Sequence, residues 1–233
     1  MKFLEFDESR DFPFYRHNPR ISSGGWLLLI LSVPVALLVY ALVGFESEII
    51  ASVLFCLIML VPLLYFSKWD YSLMFRKPTK NEIILAILMF AGYMIYALCL
   101  GSVLDMVGLG GVEASSAEEV GVTIQSTVGL LFSMMAEELL KFIPLMFFMR
   151  LVYKFTDNLK ISVAVSTAIV LLGFGLLHYA PPTNTIVSVL LLQGLGSLFE
   201  MYGYLKTKNL FVPYISHLLT DAVMFIIILV GFS

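Results

Sequence analysis

Two adjacent carboxylates and an ammonium, Glu137, Glu138 and Lys141, interrupt a run of Leu, Phe, Met, Ile and Val from about residue 128 to 148. At bilayer depth each such charge costs about 2.5–3.5 kcal/mol on insertion scales, which marks the stretch as a functional site. Glu137 and Lys141 stand four apart, Glu138 and Lys141 three apart, so helical spacing lets Lys141 neutralise either acid. The other carboxylate then projects about 100° away around the helix. Two further apolar stretches carry His178, with Phe174 one turn earlier on the same face, and the i,i+4 pair His217 and Asp221. Each feature alone has a structural reading: an ion pair, a packing histidine, a His–Asp hydrogen bond that pins a helix. Together they are an acid/base and ligand set on three segments from which hydrocarbon excludes such groups.

That set suits hydrolysis. A carboxylate beside an imidazole can deprotonate water, and N–H donors can hold the oxyanion that forms on a carbonyl. A second route is equally open at this point: Glu137, His178 and His217 could bind zinc and leave a fourth position for water. The chain has no His-Glu-x-x-His, no Gly-x-Ser-x-Gly and no paired intramembrane aspartates.

The elements that must position these groups are transmembrane helices. The 233 residues are 60% hydrophobic and 13% charged, with a mean hydropathy of +0.94, against roughly 25% charged in a soluble domain. The fold class expected is all-α, a polytopic bundle of seven spans near 25–45, 48–67, 82–101, 124–149, 161–180, 184–204 and 209–231. If these alternate, thirteen of the 14 basic residues fall on one side, and the fourteenth is Lys141. The positive-inside rule then puts the N-terminus in the cytoplasm. The expected organisation is a cytoplasmic extension over 1–24, N-terminal helices and an outer loop over 25–123, and a site-bearing core over 124–233. Aromatic residues of the extension, Phe12, Phe14 and Tyr15 among them, should hold it against the membrane interface. The helices, if they start flush at the inner surface, leave Glu137, His178 and His217 at different depths; tilt or a protruding last span must bring them together.

Other polar positions read as structural. Glu200 can snorkel to the cytoplasmic end or pair with Lys206. Gly173, Gly175, Gly194, Gly196 and Gly203 are expected helix-packing positions. The acidic loop at about 102–122, including Gly108-Leu109-Gly110-Gly111, reads as a solvated, flexible connection. Cys56 and Cys99 lie in apolar spans and read as reduced core residues. His17 has no assigned role. No nucleotide loop or basic nucleic-acid patch occurs, and nothing indicates the oligomeric state.

The ordered motifs Glu137-Glu138, Phe174-x-x-x-His178 and His217-x-x-x-Asp221 resemble the CPBP (ABI) family, which includes type II CAAX prenyl endopeptidases and bacteriocin-processing or immunity proteins. The resemblance covers about residues 124–225. It implies an intramembrane endopeptidase acting on a membrane-associated peptide or protein in the lipid bilayer, expected in a prokaryotic plasma membrane. It implies Glu137 as the group that activates water, His178 assisting, Glu138 supporting, and His217 with residue 221 at the oxyanion. No cofactor is required on that glutamate mechanism; zinc is the alternative. Two positions depart from the family pattern. The usual Glu-Glu-x-x-x-Arg is here Glu-Glu-x-x-Lys, a form similar to PrsW-type proteases, with Phe at 142. Position 221 is Asp rather than Asn, and an ionised Asp cannot donate to an oxyanion. The competing expectation is a non-enzymatic immunity or regulatory protein, or a proton-coupled carrier, that uses the same buried Glu and His residues.

Overall fold

Apolar runs of about twenty residues, broken by turn residues and capped by Ser, Thr and Asn, yield one helix each. The computed structural model describes residues 10–16, 18–110 and 124–230. Seven long helices follow in order: α1 Ser23–Gly44, α2 Glu48–Phe66, α3 Lys80–Met106, α4 Ile124–Thr156, α5 Leu159–Leu177, α6 Ile186–Thr207 and α7 Phe211–Val230. Ser22, Ser47, Thr79, Asn158 and Thr185 each cap a helix start with a side-chain oxygen. Five of the seven (α1, α2, α3, α5 and α6) are long and apolar enough to cross a membrane. α4 carries the three charges, and α7 is apolar over Phe211–Ile227. Large apolar side chains such as Leu27, Leu42, Ile95 and Leu98 face outward, as a surface solvated by hydrocarbon requires. The protein is a helical integral membrane bundle.

α4 is the hub, touching α1, α2, α5 and α7, while α3 packs on α7 and the end of α6. α6 is not a regular helix. It widens into a π-helical segment over Leu190–Leu195 before resuming at Leu198. There a Cβ on Gly175 would come within 2.9 Å of the Gly194 backbone, so α5 and α6 cross with no room for a side chain. Gly194, Gly196 and Gly203 are also close-packed, whereas Gly173 has open space and is not a packing position. Cys56 is buried, but Cys99 is exposed rather than in the core.

The depths of the site residues are reconciled by two features. α4 runs on to Thr156, six residues past Arg150, and turns directly into α5 at Leu159. Glu137 lies nineteen residues before that turn and His178 nineteen after it, which equalises their heights at about 28 Å on antiparallel helices. The α6–α7 turn, in contrast, starts inside the protein. Lys208, Asn209 and Leu210 are buried there. Asn209 bonds the Arg76 backbone through both ends of its amide, Leu210 N–H donates to Met74 O at 2.8 Å, and Arg76 Nη2 donates to Thr207 O at 2.6 Å. The α2–α3 connection thus covers this turn, and His217 needs only six residues of α7 to reach the centre.

The N-terminal segment does more than lie at an interface. Phe12, Phe14 and Tyr15 are buried. Phe14 meets Phe142 edge-on, Phe12 and Phe142 both meet Tyr204, and Tyr15 meets Tyr153. Phe142 therefore serves as a core aromatic. α3 extends to Met106, so the first part of the expected outer loop is helical; Leu109 O accepts from Thr185 Oγ1 at 2.8 Å. Residues 1–9, His17, Gly111 and the acids Glu113, Glu118 and Glu119 lie outside the described residues.

Phe14 holds a left-handed φ of 67°, a conformation that costs an L-residue about 1–2 kcal/mol and is offset by burial of the ring. Phe14→Ala keeps that strain and deletes the packing. It should lower stability by about 3–5 kcal/mol and open Arg16 to trypsin, read by thermal unfolding in detergent and limited proteolysis. An unchanged melting temperature and digest would remove the segment from the core.

Candidate active site

The charges that hydrocarbon cannot solvate are gathered where α4, α6 and α7 meet. Lys141, 1% exposed, bonds Glu138 of its own helix at 2.6 Å and also Glu200 of α6. Glu138 and Glu200 are themselves buried. The Lys141 ammonium also sits 4.7 Å from the centre of the Phe174 ring, a cation–π contact. Lys141 thus pairs with Glu138 rather than with Glu137.

His217 is attached to this cluster from α7. Its Nδ1–H donates to Glu138 Oε1 at 2.8 Å, and Glu200 Oε2 is 3.8 Å from the same nitrogen. That bond fixes the ring and turns Nε2 the other way, where Glu137 Oε2 stands at 3.7 Å and Asp221 Oδ2 at 3.9 Å. His178 closes the C-terminal end of α5. Its Nδ1–H donates to Phe174 O at 2.9 Å, and its ring packs on that of Phe174, with 4.7 Å between centres. The turn beyond it is braced by Asn184, which donates to His178 O at 2.8 Å and accepts from Ala180 N–H at 2.9 Å.

These side chains surround one cavity of about 190 Å³. Glu137, His178, His217, Asp221 and Phe174 all line it, and Glu138 and Lys141 stand behind its wall. Of the acids, Glu137 and Asp221 are half-exposed (side chains 23% and 32%), whereas Glu138 and Glu200 are 4%. The arrangement sets a buried ionic support, of which Glu200 reaches the cavity wall, beside two more accessible carboxylates and two imidazoles that line the same space.

Several lining residues were not anticipated. Tyr93 enters from α3, Gln193 from the π-helical turn of α6, Ser197 and Glu200 from the residues that follow it, and Thr220 from α7. Gln193 Oε1 is buried with no hydrogen-bond partner. Glu200 neither snorkels nor pairs with Lys206. Lys206 lies by the Tyr202 hydroxyl at 3.5 Å, and Glu200 turns inward to Lys141. A residue fifty-nine positions away supplies that partner, so no local spacing signals it. The one available hint is that Glu137 and Glu138 outnumber Lys141, while Glu200 adds a further acid at membrane depth.

The described residues whose ligand atoms converge within 4.8 Å are Glu138, Glu200 and His217, rather than the set Glu137, His178 and His217. The Lys141 ammonium already bonds both carboxylates of the converging set. The group's donors are satisfied, and it does not fit a zinc ion.

Lys141→Met leaves Glu138 and Glu200 without their shared cation and should cost about 3–5 kcal/mol of stability. The double variant Lys141→Met, Glu200→Gln should recover part of that loss. A double variant no more stable than the single in detergent melts would deny the coupling.

Comparison with curated proteins and with solved structures gives no match. Among family models, the type II CAAX prenyl endopeptidase Rce1-like model matches residues 119–223, a span that includes every cavity-lining residue except Tyr93. The segment that builds this site is similar to the Rce1-like type II CAAX prenyl endopeptidases.

Proposed function

We propose that the protein is an intramembrane endopeptidase that hydrolyses a peptide bond of a membrane-associated, CAAX-like substrate with water activated by Glu137. The observation that carries this reading is the division of labour between the two neighbouring glutamates. Glu138 is tied to Lys141 and His217, whereas Glu137 faces the cavity that His178 also lines. A water between Glu137 and His178 loses a proton to Glu137 as its oxygen bonds the scissile carbonyl carbon. The carbonyl π electrons move onto oxygen to form the oxyanion. His217, with Nδ1–H engaged by Glu138, offers Nε2 to that oxyanion as an imidazolium. Four carboxylates within 4 Å of its ring nitrogens provide the counter-charge. Collapse breaks the C–N bond, and the proton held by Glu137 passes to the leaving amine. Asp221, 3.9 Å from His217 Nε2, orients that ring rather than donating to the oxyanion.

Glu137→Gln keeps shape and hydrogen bonding but removes the base. It should reduce cleavage of a prenylated reporter peptide in proteoliposomes by about 10²–10⁴-fold with little change in melting temperature. His178→Ala should fall in the same range, and a chelator should leave the wild-type rate unchanged. Full cleavage by Glu137→Gln would sink the mechanism; loss of activity on chelation would replace it with a metal-dependent one.

A further inference from the structure

A second cavity, of about 710 Å³, lies away from the candidate active site and shares no lining residue with it. It opens between the N-terminal segment, the start of α5 and the end of α6. Among the described residues that line it are the cations Arg10, Arg16, Lys160 and Lys208 and the carboxylate of Asp11. Asp11 pairs with Arg16 at 2.9 Å, and the Lys208 ammonium lies 5.2 Å from the centre of the Phe12 ring. Arg16 is thus held by Asp11 and Lys208 lies buried on Phe12, while the exposed Arg10 and Lys160 bring two positive charges to the mouth of the cavity. The wall is apolar, made by Leu159, Val163 and Ala164 of α5 and Leu205 of α6.

Position in the bundle defines the ligand chemistry. Lys160, Ala164 and Thr167 follow one another at helical spacing on α5. Ala164 is exposed and adjoins the outward-facing Val165 and Ile169, so the wall runs continuously onto the hydrocarbon-facing surface of the helix. A cationic rim over an apolar slot that opens sideways into hydrocarbon matches a molecule with an anionic head and an alkyl tail. We infer that this cavity binds an anionic glycerophospholipid of the leaflet on the basic side, with the head-group phosphate between Arg10 and Lys160 and an acyl chain along Val163 and Ala164. Such a lipid would tie the N-terminal segment to the α4–α5 turn and the α6–α7 turn. The inference does not depend on the hydrolytic reading.

The test uses the full chain in neutral detergent, incubated with phosphatidylglycerol, with phosphatidylcholine of the same acyl chains, or with inorganic phosphate. Lipid retained through gel filtration and the melting temperature are read. Phosphatidylglycerol should be retained one-to-one and raise the melting temperature, whereas phosphatidylcholine and phosphate should do neither. Arg10 and Lys160 are exposed, and neither lines the candidate active site. The double variant Arg10→Gln, Lys160→Gln should bind phosphatidylglycerol more weakly by about fivefold per charge removed. Ala164→Phe should weaken it with all charges intact by filling the slot. Equal retention of the two lipids, or stabilisation by phosphate alone to the same extent, would overturn the proposal. So would wild-type lipid binding by both variants.

Discussion

Hydrocarbon offers an ion no partner, so every charge placed inside it must be satisfied by the protein itself. Here that constraint is met by a closed cluster. Lys141 holds Glu138 and Glu200, and Glu138 in turn holds His217. The cluster ties α4, α6 and α7 at their common centre, and much of the surrounding architecture follows from the need to complete it. α6 must bring Glu200 inward, which it does just after its backbone widens at Leu190–Leu195. α7 must begin deep, which it does because the turn before it is buried under the α2–α3 connection.

The same cluster prepares its surroundings for chemistry. A buried ion pair seldom adds much stability over well-packed apolar groups, but it orients what it touches. Glu138 sets the imidazole of His217, and the Phe174 ring contacts both the Lys141 ammonium and the ring of His178. The accessible groups, Glu137 and Asp221, take no part in the Lys141 pairings. The Rce1-like match over residues 119–223 coincides with this construction, while α1 and α2 pack the outer flank of α4.

What could be read in the sequence was local. Apolar runs gave the spans, and i,i+3 and i,i+4 offsets showed that Lys141 could reach either glutamate. Choosing between them needed a third helix, because His217 and Glu200 both lie on the Glu138 side. Glu200 itself was misread for the same reason: its partner is remote in sequence, and the nearby Lys206 offered a plausible substitute. The depth mismatch came from equating helix ends with charged residues. Arg150 lies inside α4, and Lys208 is buried in a turn rather than marking a surface. The burial of Phe12, Phe14 and Tyr15 left no periodic trace, since the segment that carries them is not helical.

The small cavity also bears on the form in which a polypeptide could reach the site. Its volume of about 190 Å³ accommodates a handful of waters at about 30 Å³ each. That volume is the room open to the centres of water molecules, so with a water radius added on every side it is roughly 10 Å across, no wider than the 10–12 Å girth of an α-helix with its side chains. A chain in helical form cannot present a carbonyl there, because its backbone is sheathed by its own side chains and its carbonyls are already bonded within the helix. Only an unwound stretch, or one near a free terminus where the last carbonyls are unbonded, is slim enough. On the proposed hydrolytic reading, length and burial of a target would therefore matter less than how readily a few residues leave the helix, making local melting of the substrate a determinant of selection.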